Sequence, residues 1–127
     1  MATRHQARIA IVGILYARDF NEINDDFIQE YLEDKKIRNE QKNFALELYK
    51  GVLANIENIN EILKNNLKEF DKLSHIELAI LRISVYELYY SQTQKAIIIN
   101  EAVELAKELA HDNSSKLINA VLDSIKD

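Results

Sequence analysis

Arg4, His5 and Arg8 place two guanidinium groups and an imidazole within the first eight residues. At helical spacing, Arg4 and Arg8 are four apart and share a face, with His5 one step round. These groups suit anion binding. Arginine presents a rigid fork of donors that matches a phosphate, and histidine adds a donor and, when protonated, a charge. Residues 1–18 contain Arg4, Arg8 and Arg18 and no acid, a formal +3. The remaining 109 residues carry 13 bases against 21 acids, so the chain's net charge of −5 conceals a basic end on an acidic body. On charge alone, the alternative stays open that these arginines only solvate the outer face of a helix.

Other chemistries are poorly supplied. Cysteine is absent, which removes thiolate catalysis, disulfides and Cys-based zinc sites. Gly13 and Gly51 are the only glycines, 38 residues apart, so neither G-x-G-x-x-G nor a P-loop is present. The one Glu-x-x-His is Glu108 to His111, and the other histidines, at 5 and 75, do not complete the second pair a di-iron bundle needs. No metal site and no cofactor is expected. Glu101, Glu104 and Glu108 share a helical face beside Lys107, a pattern common on solvated faces. None of the serines at 74, 84, 91, 114, 115 and 124 has the glycine neighbours of a nucleophile elbow, so no enzymatic activity is expected. Most of the six tyrosines lie on or beside apolar stripes and read as core. Tyr16, near the arginine-bearing helix, stays open as a ring for a ligand or partner.

The elements that position these groups are helical. With 127 residues, 47% apolar content, no proline and two glycines, one all-α domain over residues 1–127 is expected rather than a turn-rich β fold. No apolar run approaches membrane-spanning length and no signal-peptide pattern opens the chain, so a cytoplasmic location away from membranes is expected. Thr3-Arg4-His5-Gln6 fits a capping box at the start of the first helix. Phe27, Ile28, Tyr31 and Leu32 mark a short second helix ending in Glu33-Asp34-Lys35-Lys36. The apolar stripe from Phe44 to Leu63 predicts one long helix over residues 40–66, with Gly51 inside it at a close helix crossing. Ser74-His75-Ile76-Glu77 is a second capping box. It opens a segment, to about Tyr90, that is apolar almost all round and should be central. Helices near residues 98–110 and from Leu117 to Ile125 follow, separated by the turn His111-Asp112-Asn113-Ser114. Six helices result, divisible into sub-bundles of roughly 1–70 and 71–127.

Several runs go beyond periodicity. Lys72-Leu73-Ser74, Glu77, Ala79-Ile80-Leu81-Arg82 and Tyr86-Glu87-Leu88 resemble the central signature of the NusB family of transcription antitermination factors. Ile99-Asn100-Glu101-Ala102-Val103-Glu104-Leu105-Ala106-Lys107 is similar to that family's most recognisable run. Ser114, Lys116, Asn119, Val121, Leu122 and Asp123 resemble its closing segment, and Arg4, Ala7, Arg8, Leu15 and Tyr16 its opening. Gln94, Ala110 and Ala120 stand where the family usually has proline or glycine, and His5-Gln6 interrupts an opening that relatives keep more basic.

The resemblance implies a bundle of six to seven helices in two sub-bundles. It implies binding of boxA-containing single-stranded RNA as a heterodimer with the ribosomal protein NusE. The complex would join NusA, NusG and RNA polymerase during ribosomal RNA synthesis. On this basis Arg4, His5 and Arg8 are expected at RNA phosphates, with Asn113, Ser114 and Lys116 as a second contact. Tyr16, Glu77 and Leu117 are expected to face the protein partner, although Glu77 also fits a capping box and Leu117 also fits the core. Two alternatives stand beside this one. The chain is either a detached relative of the RNA-binding appendage of certain ribosomal RNA methyltransferases, or a helical protein–protein module or homodimer without an RNA role.

Overall fold

In a computed structural model that describes residues 2–126, the chain forms seven α-helices and one short 3-10 turn. The helices are α1 (Arg4–Arg18), α2 (Asp25–Asp34), α3 (Asn39–Ala54), α4 (Ile56–Asn66), α5 (His75–Tyr90), α6 (Lys95–Leu109) and α7 (Ser114–Ser124). The 3-10 turn, Phe70–Lys72, joins α4 to α5. No helix among the described residues is long and apolar enough to cross a membrane.

Helix α5 lies at the centre, as its all-round apolar character predicts. It packs against α1, α3, α4, α6 and α7, and it buries Ala79, Ile80, Leu81, Ile83 and Val85. α1 lies against α3 and α5, and α6 pairs with α7. One apolar cluster runs through all of them, from Ala7 to Ile125. Burying a side chain such as Ile80 or Leu105 contributes about 1.5–3 kcal/mol relative to exposure, so this shared core is what holds the helix ends in register.

Local chemistry sets several of those ends. Thr3 accepts from the Gln6 N–H while the Thr3 N–H donates to Gln6 Oε1, the reciprocal pair expected of a capping box. Ser74 and Glu77 do the same at α5. The long helix expected over 40–66 is instead two, because Asn55 leaves the helical region (φ −116°, ψ 18°). Its amide Nδ2 donates to Gly51 O at 2.8 Å, the same carbonyl that accepts the Asn55 backbone N–H at 3.1 Å, so the side chain folds back over the last turn of α3. Gly51 does mark a close crossing: a Cβ there would run into the Tyr86 ring of α5. α6 begins at Lys95, three residues before the expected start.

Candidate nucleic-acid interface

The Thr3 capping box starts α1 so that Arg4, His5 and Arg8 face α3, α5 and α6 with different degrees of exposure. Arg4 is exposed, and its guanidinium lies 4.5 Å from the centroid of the Phe44 ring on α3. Stacking on one face leaves the planar donors of this cation open at the edge.

Arg8 sits differently from the solvent-facing partner of Arg4 that helical spacing suggested. Its Nε and Nη2 each donate to a carboxylate oxygen of Glu87 at 2.8 Å, and the two side chains are only 10% and 5% exposed. A second acid, Glu101, lies 3.7 Å from Nη1. Burial pushes the Arg8 guanidinium down, but Glu87 and Glu101 outweigh it and the net direction is up. Arg8 is thus an internal bolt between α1 and α5 in this conformation.

His5 is held from two sides. Nδ1 faces Glu101 Oε1 at 2.5 Å and Nε2 faces Glu108 Oε2 at 3.2 Å. Two ionised carboxylates on both ring nitrogens call for the imidazolium, since a neutral ring would turn an acceptor nitrogen toward one of them. The Glu101 hydrogen bond raises the His5 pKa; burial opposes it and Glu108 adds to it. A raised folded-state pKa gives a stabilisation that is complete below the ordinary histidine value of about 6.5 and is lost as pH rises through the folded value. The difference in melting temperature between wild type and His5→Gln is therefore expected to be widest at about pH 6 and to shrink by about pH 9. A pH-independent difference in thermal unfolding would show that the ring is neutral in the fold.

The second expected contact lies where α6 turns into α7. Asn113 is exposed at the turn, and its side chain does not cap the helix. Lys116 is exposed and lines a shallow groove of about 560 Å³ between α6 and α7, beside Asn100 and Asn119. Ser114, in contrast, is fully buried and donates from its hydroxyl to Glu77 Oε2 at 2.7 Å. Glu77 is buried too, and its other oxygen accepts the Ser74 N–H at 2.9 Å. Burial alone would raise the Glu77 pKa; hydrogen bonds from Ser74 and Ser114 outweigh it and hold it below the ordinary range. Neither Ser114 nor Glu77 presents a free group at the surface here; together they tie the start of α5 to the start of α7. Leu117 is half-buried against the core.

Tyr16 is 42% exposed and belongs to a small aromatic patch at the far end of α1. Phe20, 57% exposed, lies 5.1 Å from it, and the His75 ring of α5 lies 4.7 Å from Phe20. His75 Nδ1 meets Asp19 Oδ2 at 2.7 Å. Phe20 follows Tyr16 by four residues, so helical spacing carried a signal for it. His75 comes from another helix and had none. Half-buried Arg82 donates to Asn60 Oδ1 at 3.0 Å; burial pushes its guanidinium down while the charge of Asp19 opposes. No cluster among the described residues is arranged to hold a metal ion.

Comparison with known proteins places the whole chain among relatives. The sequence model of the NusB family matches residues 5–127. A transcription antitermination protein NusB from Campylobacter concisus is 57% identical over 99% of this chain and 98% of its own length. The NusB structure from T. maritima superposes with a TM-score of 0.85 at 26% identity, covering 98% of this chain and 90% of that one. A crystal structure of the antitermination factors NusB and NusE in complex with double-stranded RNA gives a TM-score of 0.85 at 29% identity, covering 96% and 94% of the two chains.

Proposed function

This chain belongs to the NusB family of transcription antitermination proteins, and from that premise we propose that it binds boxA-containing RNA in the cytoplasm as a heterodimer with the ribosomal protein NusE. The heterodimer then joins NusA, NusG and RNA polymerase while ribosomal RNA is being made. The observation that carries the RNA reading is the exposed Arg4 guanidinium on the Phe44 ring, at the one end of an acidic chain that lacks acids in its own sequence. The similarity to a NusB seen with NusE and double-stranded RNA supports the choice of partners.

In this reading Arg4 takes a phosphate, and the imidazolium of His5 screens Glu101 and Glu108 from the strand. Arg8 acts through its bond to Glu87, which fixes the pitch of α1. Asn113 and Lys116 supply the second contact, held in place by the buried Ser114–Glu77 bond. Tyr16 leads the aromatic patch that receives NusE, while the buried Glu77 and the half-buried Leu117 act from within the fold rather than as contact surface.

Few free cations on an acidic body give weak, salt-sensitive binding, which a basic partner would strengthen by adding phosphate contacts. A gel-shift titration with boxA and scrambled RNA is expected to show at least tenfold tighter boxA binding when NusE is present, about 1.4 kcal/mol. Arg4→Ala should weaken both titrations and flatten the salt slope. Equal boxA affinity with and without NusE defeats the composite site. The pairing of Arg8 and His5 with acids favours the second reading, a protein–protein module. NusE binding without any boxA preference would establish that one instead.

A further inference from the structure

A cleft of about 790 Å³ opens beside the start of α1, and no role has been assigned to it. Its walls carry Gln6 of the α1 capping box, Lys35, Lys36 and Arg38 from the α2–α3 connection, and Glu40 and Gln41 from the first turn of α3, Glu40 being the one acid among the lining residues described. Lys35 lies 5.6 Å from the Tyr31 ring centroid, and neither lysine is paired with an acid among the described residues. Arg38 turns back to Glu33 at 2.6 Å.

The backbone gives Lys36 particular weight. Ile37 N–H donates to Leu32 O and Lys36 N–H to Glu33 O, each at 2.9 Å, which is the Schellman closure of α2. Lys36 occupies its left-handed position, φ 58°, where a side chain is disfavoured and glycine is the usual residue. A lysine stands at this left-handed position, and it lines the cleft. Asn39, also left-handed at φ 57°, begins α3, and Arg38 before it offers no side-chain cap, so the positive end of that helix is open on the same side. Gln41, at the start of α3, adds a buried Oε1 with no hydrogen-bond partner among the described residues.

We propose that this cleft holds the phosphodiester backbone of a single RNA strand as it leaves Arg4, with Lys36 and Lys35 at its phosphates. Continuity supports this occupant: Gln6 lines the cleft two residues after Arg4, on the helix turn that carries the exposed guanidinium. The inference rests on the RNA reading above and extends its path onto a second element.

Lys36→Gly is the informative substitution, because it removes the charge while relieving the left-handed backbone, so the variant is expected to fold with an unchanged or higher melting temperature. Fluorescence anisotropy would compare the full chain with NusE, wild type against Lys35→Ala/Lys36→Gly, on a minimal boxA RNA and on the same RNA extended at its 5′ or 3′ end. One of the extended strands is expected to bind the double variant about tenfold more weakly than wild type. The salt slope should also fall by about 1.4, the value for two lost contacts on a single strand. The minimal RNA should bind both proteins alike. Unchanged affinity for both extended strands overturns the cleft while leaving the Arg4 site standing, which Arg4→Ala checks separately on the minimal RNA. Failure of wild type to bind any of the three RNAs overturns the cleft together with the reading beneath it.

Discussion

Arg8→Ala is expected to destabilise the fold by about 3–5 kcal/mol, the range found when one partner of a buried pair is removed. The lost bonds matter less than what they leave behind. Both oxygens of Glu87 are occupied by the guanidinium at 2.8 Å, and its side chain is 5% exposed, so the variant strands a carboxylate against the core. For a chain of this size such a loss lowers the melting temperature by roughly 10–20 °C. Thermal and urea unfolding would measure it, and a loss under about 1 kcal/mol would mean that water screens the pair as it does at a surface. Replacing both residues, as Arg8→Met with Glu87→Leu, should recover most of the stability, because the charge and its counter-charge leave together. That double variant also separates two roles of Arg8. If it folds and still binds RNA as wild type does, Arg8 works by positioning α1; if it folds and loses RNA, Arg8 reaches the phosphates itself.

Which parts of this were legible beforehand follows from the range of each signal. Capping boxes at Thr3 and Ser74 and the all-round apolar character of α5 are local patterns, and the structure contains all three where they were expected. The division at Asn55 was not legible, because an asparagine on a polar stripe looks the same whether it faces water or turns its amide back to Gly51 O. The early start of α6 was hidden for a similar reason: Ile97 is 56% exposed and breaks the apolar periodicity that marks a helix. Gln94, where the family usually has proline, keeps φ at −65°, the angle at which a proline ring would hold it. Ala110 is extended at φ −115°, so no left-handed glycine is needed there. In the interface, the shared face of Arg4 and Arg8 was readable, but not which of them looks outward. That depends on Glu87, 79 residues from Arg8, and on Glu101, 96 residues from His5. The acids at 101 and 108 looked like a solvated face because the cation they hold lies on another helix.

Tyr16→Ala combined with Phe20→Ala is expected to weaken binding of the proposed ribosomal partner about 100-fold, roughly 2.8 kcal/mol. Two exposed rings in contact, Tyr16 on α1 and Phe20 in the turn just after it, 42% and 57% exposed, form an apolar surface that nothing in the chain covers among the described residues. Large aromatic side chains at the centre of an interface carry most of its energy, and these two are pre-ordered by their mutual packing and by the His75 ring. Asp19 is held by His75, so the patch also presents a fixed acid to a basic partner. Because both rings are exposed, the double variant should keep its melting temperature, unlike Arg8→Ala, and the isolated chain should keep whatever RNA affinity it has. Isothermal titration against the partner gives the affinity, and RNA titration of the heterodimer gives its consequence: boxA binding should fall to the level of the chain alone at concentrations where wild type is fully paired. A loss below about fivefold, less than 1 kcal/mol, would place the docking surface elsewhere. The α6–α7 groove beside Lys116 would then be the surface to mutate next. Loss of RNA binding by the isolated variant would instead make the patch part of the RNA path, with Tyr16 stacking on a base rather than packing against a protein.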